Sequence, residues 1–257
     1  MTQPVANNPS GANDLMDLSI VIPAFREAAK IRHDVEGAAA FLVKSGLKGE
    51  IIVVDDGSPD NTRAAALAAE IPPTVERQVI RYEHNCGKGC AVRTGMKASR
   101  GEFAMFADVG LCVPFENALR GIELIRRGEC EIAHGSRKLP DSVILKPQTL
   151  YRRLLSRTFR FVVRHFMGTP RDLTDTQCGF KVYRGDVARQ LYGECFCGGF
   201  MFDIEILLRA LKHGYRVREF PVEWRCDWDS RLHPARGAAH TLGELSEIKR
   251  RLKEDKP

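Results

Sequence analysis

The sequence predicts an α/β fold: a mostly parallel sheet with helices on both faces. Three observations carry this reading. Residues 51–58 read Ile-Ile-Val-Val-Asp-Asp-Gly-Ser, a run of β-branched residues that ends in two carboxylates and a turn glycine. An uninterrupted apolar run of this length suits a strand buried on both sides. The pattern recurs in Leu18-Ser-Ile-Val-Ile22, which ends in Pro23-Ala24-Phe25 with Glu27 beyond, and in Phe103-Ala-Met-Phe-Ala107, which ends in Asp108. Each run precedes a segment of helical character, at 27–44, 61–70 and 115–127. Strands that alternate with helices across short loops build a parallel sheet.

In chain order, residues 1–17 are rich in Asn, Pro, Gly and Ala without periodicity, and are expected to be a disordered leader. They lack the basic start and apolar stretch of a signal peptide. The first two strand–helix units follow. A short strand over 78–82 then leads into Asn85-Cys-Gly-Lys-Gly89 and a helix. After the third unit, 148–167 reads as an amphipathic helix with Arg153, Arg157, Arg160 and Arg164 on one side and Leu154, Leu155, Phe159, Val162 and Val163 opposite. Residues 221–225 read as a strand edge, and 227–234 as a loop. The whole is expected to form a single domain over 18–235 with a basic helix or tail over 236–257.

Composition excludes several classes. No window approaches 18 uninterrupted apolar residues, so no membrane-spanning helix is expected. The eight cysteines match no zinc spacing and read as free thiols in a reducing, cytoplasmic setting. A net charge of +6, concentrated on the 148–167 segment and near the C-terminus, fits docking on the anionic cytoplasmic face of a membrane; a solvated basic face is the plainer alternative. Nucleic-acid binding is not expected, because no nucleic-acid motif accompanies the charge.

Polar groups at the carboxyl ends of parallel strands mark the edge where α/β sheets bind ligands. Asp55 and Asp56, with Gly57 and Ser58, suit hydroxyl or base N–H groups; an Asp-Gly turn with a helix cap is the alternative reading. Gly87-Lys88-Gly89 at a helix start suits an anion, although its glycine spacing is not that of a P-loop. Asp203 and Glu205, in Phe202-Asp-Ile-Glu-Ile, are candidate bases or simply acids at a helix start.

Taken in order, Val21-Ile-Pro-Ala-Phe-Arg-Glu27, Val53 to Thr62, Asn85-x-Gly-Lys-Gly89, Asp108 with Pro114, Gly135-Ser-Arg137 and Asp175-Thr-Gln-Cys-Gly-Phe-Lys181 form a series. The series resembles the inverting GT-A-fold glycosyltransferases, and within them the polyprenyl-phosphate sugar transferases of the dolichyl-phosphate β-glucosyltransferase kind. The resemblance spans about Leu18 to Leu232. It implies that Pro23, Ala24, Phe25, Glu27, Asp55, Asp56, Gly57, Ser58 and Lys88 bind a nucleotide sugar, with UDP-glucose favoured. It implies that Asp108 ligates Mg²⁺ or Mn²⁺ on the diphosphate. Arg137 would lie near donor and acceptor phosphates, with Asp175, Gln177 and Lys181 on the acceptor side and Arg231 on a lid. The acceptor would be a polyprenyl or dolichyl phosphate.

The chain departs from the family at one place. Where Asp-x-Asp is usual it has Asp108-Val109-Gly110, with Cys112 beyond. A hard divalent ion wants oxygen ligands, and this stretch keeps a single carboxylate. Weakened metal dependence is therefore expected. The alternatives are a nucleotide-sugar-binding protein without transfer, and a transferase acting on a soluble hydroxyl.

Overall fold

The computed structural model describes residues 16–146, 157, 161–225 and 238–254. Seven strands form the central sheet: β1 (Leu18–Ala24), β2 (Gly49–Asp55), β3 (Glu76–Arg81), β4 (Phe103–Ala107), β5 (Ile132–Ser136), β7 (Phe180–Arg184) and β8 (Val217–Pro221). Their spatial order is β3-β2-β1-β4-β7-β5-β8. The pairs β1–β2, β1–β4, β2–β3 and β5–β8 are parallel, and β7 runs antiparallel between β4 and β5. A small second sheet pairs β6 (Val143–Lys146) with β9 (Glu223–Arg225).

The helices are α1 (Ile31–Ser45), α2 (Thr62–Leu67), α3 (Lys88–Ala98), α4 (Ala118–Arg126), α5 (described over 161–167), α6 (Gly185–Glu194), α7 (Phe202–Lys212) and α8 (Ala238–Glu254). The expected helix at 27–44 starts later, at Ile31, because the backbone of residues 26–28 is held by side chains of the next loop. The segment at 115–127 opens with a single 3₁₀ turn, Phe115–Asn117.

Side-chain alternation explains the two-layered core. Ile51 and Val53 of β2 point to one face, and Ile52 and Val54 to the other. Phe103 and Met105 of β4 likewise oppose Ala104 and Phe106. The first face packs on α1, α2 and α4 through Val35, Ala66 and Ile122. The second packs on α3, α6, α7 and α8 through Val92, Leu191, Ile204 and Ile248. Each fully buried Ile or Val contributes about 1.5–3 kcal/mol, so a one-residue slip of β2 would exchange its two faces at large cost. Among the described residues no helix is long and apolar enough to cross a membrane.

The parallel strands deliver their carboxyl ends to one edge. The reversed β7 delivers its start there, so residues 175–179 arrive beside Asp108 from the opposite direction.

Candidate active site

At the end of β2, Asp55 and Asp56 diverge. Asp55 is fully buried; its Oδ1 accepts the Ser58 N–H at 3.0 Å, while Oδ2 lies 3.7 Å from Arg81 Nε and has no hydrogen bond. Asp56 is equally enclosed, but both of its oxygens are committed. Oδ1 accepts the Cys86 N–H at 2.7 Å, and Oδ2 accepts the Gly87 N–H at 2.9 Å and Asn85 Nδ2 at 2.8 Å. Burial raises the Asp56 pKa against the pull of those N–H groups. The expected pair of nucleoside-binding carboxylates thus divides: Asp55 keeps an open acceptor, and Asp56 shapes the turn that presents Lys88. Gly57 makes the crossing possible; at φ 67°, a Cβ there would stand 2.5 Å from the His84 carbonyl carbon.

The strand ends are tied to one another. The Asp56 N–H donates to the Ala24 carbonyl at 2.8 Å, the Arg26 N–H to Ser58 Oγ at 2.9 Å, and the Glu27 N–H to Thr62 Oγ1 at 2.8 Å. Pro23, Ala24, Phe25 and Glu27 therefore line the same edge as Asp55 and Ser58.

Lys88, the first residue of α3, places Nζ 2.7 Å from Asp108 Oδ1, an ion pair without the alignment of a hydrogen bond. Burial works against its charge, but Asp108 and Asp203 outweigh it and raise its pKa. Asp108 is fixed in turn: its N–H donates to the Gly179 carbonyl at 3.0 Å. A Cβ on Gly179 would lie 2.0 Å from Asp108 Oδ2, so a larger residue there would displace that carboxylate.

Below this pair lies a second one. Lys181 is sealed from solvent; its ammonium donates to Asp203 and, at 3.0 Å, to the Thr176 carbonyl. Lys181, expected on the acceptor side, is thus engaged by Asp203 and by the start of its own segment at Thr176. Burial raises the Asp203 pKa against Lys181 and Lys88. Glu205, two residues on, turns elsewhere and accepts the Cys197 N–H at 2.8 Å and Arg209 Nε at 2.8 Å. Of the two candidate bases, Asp203 faces the site and Glu205 holds the 195–197 turn.

Arg137 and Asp175 also meet. Nε to Oδ2 is 2.6 Å, Nη2 to Oδ1 is 2.7 Å, and the Arg137 N–H adds a third bond to Oδ2 at 3.0 Å. The guanidinium lies over the Trp224 ring, 5.2 Å from its centroid. Burial pushes the Asp175 carboxyl up, but Arg137 outweighs it and the net shift is down. Arg137, expected near donor and acceptor phosphates, and Asp175, expected on the acceptor side, form one charge-neutral unit. Between Asp175 and Gly179, Gln177 keeps a buried Nε2 with no partner. Arg231 and Cys226 lie outside the described residues, as does most of the 148–167 segment.

Asp34 escaped the sequence reading. It lies in the first turn of α1, and its Oδ1 accepts the N–H groups of Gly110 and Leu111, both at 2.8 Å. Burial pushes its carboxyl up to about 6. The signal was an acid on the apolar stripe formed by Ile31, Val35, Ala38 and Leu42.

Five buried side-chain polar atoms lack a hydrogen bond among the described residues, and three of them sit on this edge: Asp55 Oδ2 and Gln177 Nε2, and Asp108 Oδ1, which is held instead by the Lys88 ion pair. At the opposite edge Glu50 is fully engaged by Ser19 and Arg100. Buried polar groups are normally paired, so orphans gathered at one edge mark where a ligand would complete them. Among the described residues the site offers a divalent ion few free side-chain ligands. Asp108 and Asp203 already face Lys88 and Lys181, Gly110 has no side chain, and among the described residues no three His, Cys, Asp or Glu side chains cluster.

The family described as "Glycosyl transferase family 2" matches residues 19–192. The chain is 33% identical over 260 residues to glycosyltransferase AglD of Haloferax volcanii, an alignment covering 97% of this chain and 39% of that protein. It is 31% identical to dolichyl-phosphate beta-glucosyltransferase of Saccharomyces cerevisiae, covering 80% of this chain and 66% of the relative, and 32% identical to the Drosophila melanogaster protein of the same name, covering 85% and 70%. The chain therefore spans well under half of AglD and about two thirds of the yeast relative. Among solved structures, glucosyl-3-phosphoglycerate synthase from Mycobacterium tuberculosis, crystallised with Mn²⁺, UDP and phosphoglyceric acid, superposes with a TM-score of 0.67 at 17% identity, covering 91% of this chain and 78% of that one. These structures share the GT-A fold with this chain.

Proposed function

The chain belongs to glycosyl transferase family 2, and from that premise we propose that it moves glucose from UDP-glucose to a polyprenyl or dolichyl phosphate, with inversion at the anomeric carbon. The observation that carries this reading is the grouping at one sheet edge of two buried polar atoms without a hydrogen bond, Asp55 Oδ2 and Gln177 Nε2, around the Lys88–Asp108 ion pair. Relatives named dolichyl-phosphate beta-glucosyltransferase support the choice of sugar and acceptor.

In this reading Asp55 Oδ2 accepts the nucleobase or ribose donor group, and Pro23 to Glu27 wall the nucleoside. Lys88 and Asp108 face the diphosphate. The Arg137–Asp175 unit and Gln177 border the acceptor. A phosphate acceptor is already ionised near neutral pH, so the reaction needs no strong base. The dominant demand is stabilisation of the charge that grows on the departing diphosphate.

Membrane contact follows from a lipid acceptor. Phe161 is 63% exposed on α5 beside the exposed Arg157 and Arg164, and Val143, Ile144 and Leu145 stand open on β6. Apolar side chains among cations suit an anionic lipid surface.

The test is a panel of UDP- and GDP-sugars with polyprenyl phosphate, read by mass spectrometry of the lipid. A hexosyl-phosphate lipid from UDP-glucose is expected; transfer only to soluble hydroxyls would refute the acceptor. A second reading, nucleotide-sugar binding without transfer, is favoured by Gly110 in place of an acid and predicts tight UDP binding with no sugar released.

A further inference from the structure

We propose that the ammonium of Lys88 is the cation of the diphosphate site, so that this chain binds its donor and releases the leaving group without a divalent metal. The inference rests on the donor being a nucleoside-diphosphate sugar, as proposed above.

Four observations carry it. Lys88 Nζ lies 2.7 Å from Oδ1 of Asp108, the one carboxylate left in the Asp-x-Asp stretch. A dication bound to that oxygen would sit within a few ångströms of the ammonium, where like charges repel strongly. Next, the place of the second acid is taken by Gly110, whose N–H is turned into Asp34 on α1 together with that of Leu111. The loop is built to hold its backbone against α1, not to offer a second ligand beside Asp108.

Third, the Cys86 and Gly87 N–H groups, which could otherwise cradle a phosphate at the start of α3, are spent on Asp56. The side chain at position 88 is what that turn presents. Fourth, Asp203 lies within electrostatic reach of Lys88 while holding Lys181, so two carboxylates and two ammoniums already balance. A lysine ammonium carries three donors on a compact charge. One can stay on Asp108 while the others meet phosphate oxygens.

The step balances without a metal or a proton. An oxygen of the acceptor phosphate forms a bond to the anomeric carbon as the bond from that carbon to the β-phosphate oxygen breaks. The electron pair leaves with the nucleoside diphosphate, whose added negative charge faces Lys88. Asp108 orients the ammonium and carries no bond to the substrate.

The experiment is calorimetric titration of the full chain with UDP and with GDP, in excess EDTA and in Mn²⁺, for wild type, K88M, K88R and D108N. The wild type is expected to bind its preferred nucleotide equally well in EDTA and in Mn²⁺. K88M is expected to lose about tenfold or more in affinity, the scale of a charge-assisted contact, and K88R to recover part of it. Urea midpoints taken alongside separate lost binding from lost folding, and K88R keeps the test alive should K88M unfold. Nucleotide binding that disappears in EDTA and returns with Mn²⁺ overturns the inference and leaves the transferase reading standing. So does K88M binding as tightly as wild type. Binding of neither nucleotide under any condition overturns both.

Discussion

Arg137 grips Asp175 through both arms of its guanidinium, at 2.6 and 2.7 Å, and through its own N–H at 3.0 Å. The Asp175 N–H in turn donates to Glu219 at 2.6 Å, which ties the start of the acceptor-side segment to β8. Removing one partner from such a pair strands the other in a poorly solvated place. R137M should therefore destabilise the protein by about 3 kcal/mol or more, read as a shift in urea midpoint. R137K, which keeps the charge but not the fork, should fall between the two. A midpoint for R137M equal to wild type would mean that the pair contributes nothing.

Asp34 predicts a pH signature. Its carboxyl is raised by burial from an ordinary 3.8 to about 6. The folded state therefore holds a proton that the unfolded state has released over that window, and stability falls as pH rises from about 4 to about 6. D34N keeps an acceptor for the Gly110 and Leu111 N–H groups and removes the titration. The stability difference, wild type minus D34N, should fall by about 2 kcal/mol between pH 4 and pH 7. Urea midpoints at several pH values measure it; parallel curves for the two proteins would contradict it.

Gly179 predicts a local effect on the donor site. A methyl group there would fall 2.0 Å from Asp108 Oδ2 and force that carboxylate off Lys88. G179A should weaken nucleotide binding and sugar transfer by about tenfold, with a stability cost of about 1–3 kcal/mol. Calorimetry and urea unfolding separate the two effects. Unchanged nucleotide affinity would detach Asp108 from the donor site.

How much of this was legible in the sequence depends on what each residue's periodicity exposes. The central strands were readable because their apolar runs need burial on both faces, and their ends named Asp55 and Asp108. The reversed β7 was not, because Phe180-Lys181-Val182-Tyr183-Arg184 mixes charge into the run and lysine is seldom buried unless paired. Neighbouring acids looked alike in sequence yet point apart in space. Asp55 keeps an open oxygen while Asp56 closes a turn, and Asp203 faces Lys181 while Glu205 caps residues 196–197. A motif names the residue; the strand pleat and the helix turn decide which side it serves.

The lipid acceptor predicts membrane affinity that can be measured without activity. Phe161 is 63% exposed and meets His165 in a tilted ring contact with centroids 4.0 Å apart. An aromatic side chain left in water beside Arg157 and Arg164 gains from entering the headgroup region, and the arginines gain from anionic lipid. The full chain should co-sediment with vesicles containing phosphatidylserine at low salt and be released as salt rises, since a surface attraction is screened over about a Debye length. F161E should bind these vesicles several-fold more weakly while retaining UDP affinity, because the ring lies outside the donor site. Equal sedimentation with neutral and anionic vesicles would remove the electrostatic part of this reading. Full transfer to polyprenyl phosphate by F161E, with no vesicle binding, would remove the membrane surface from the reaction altogether.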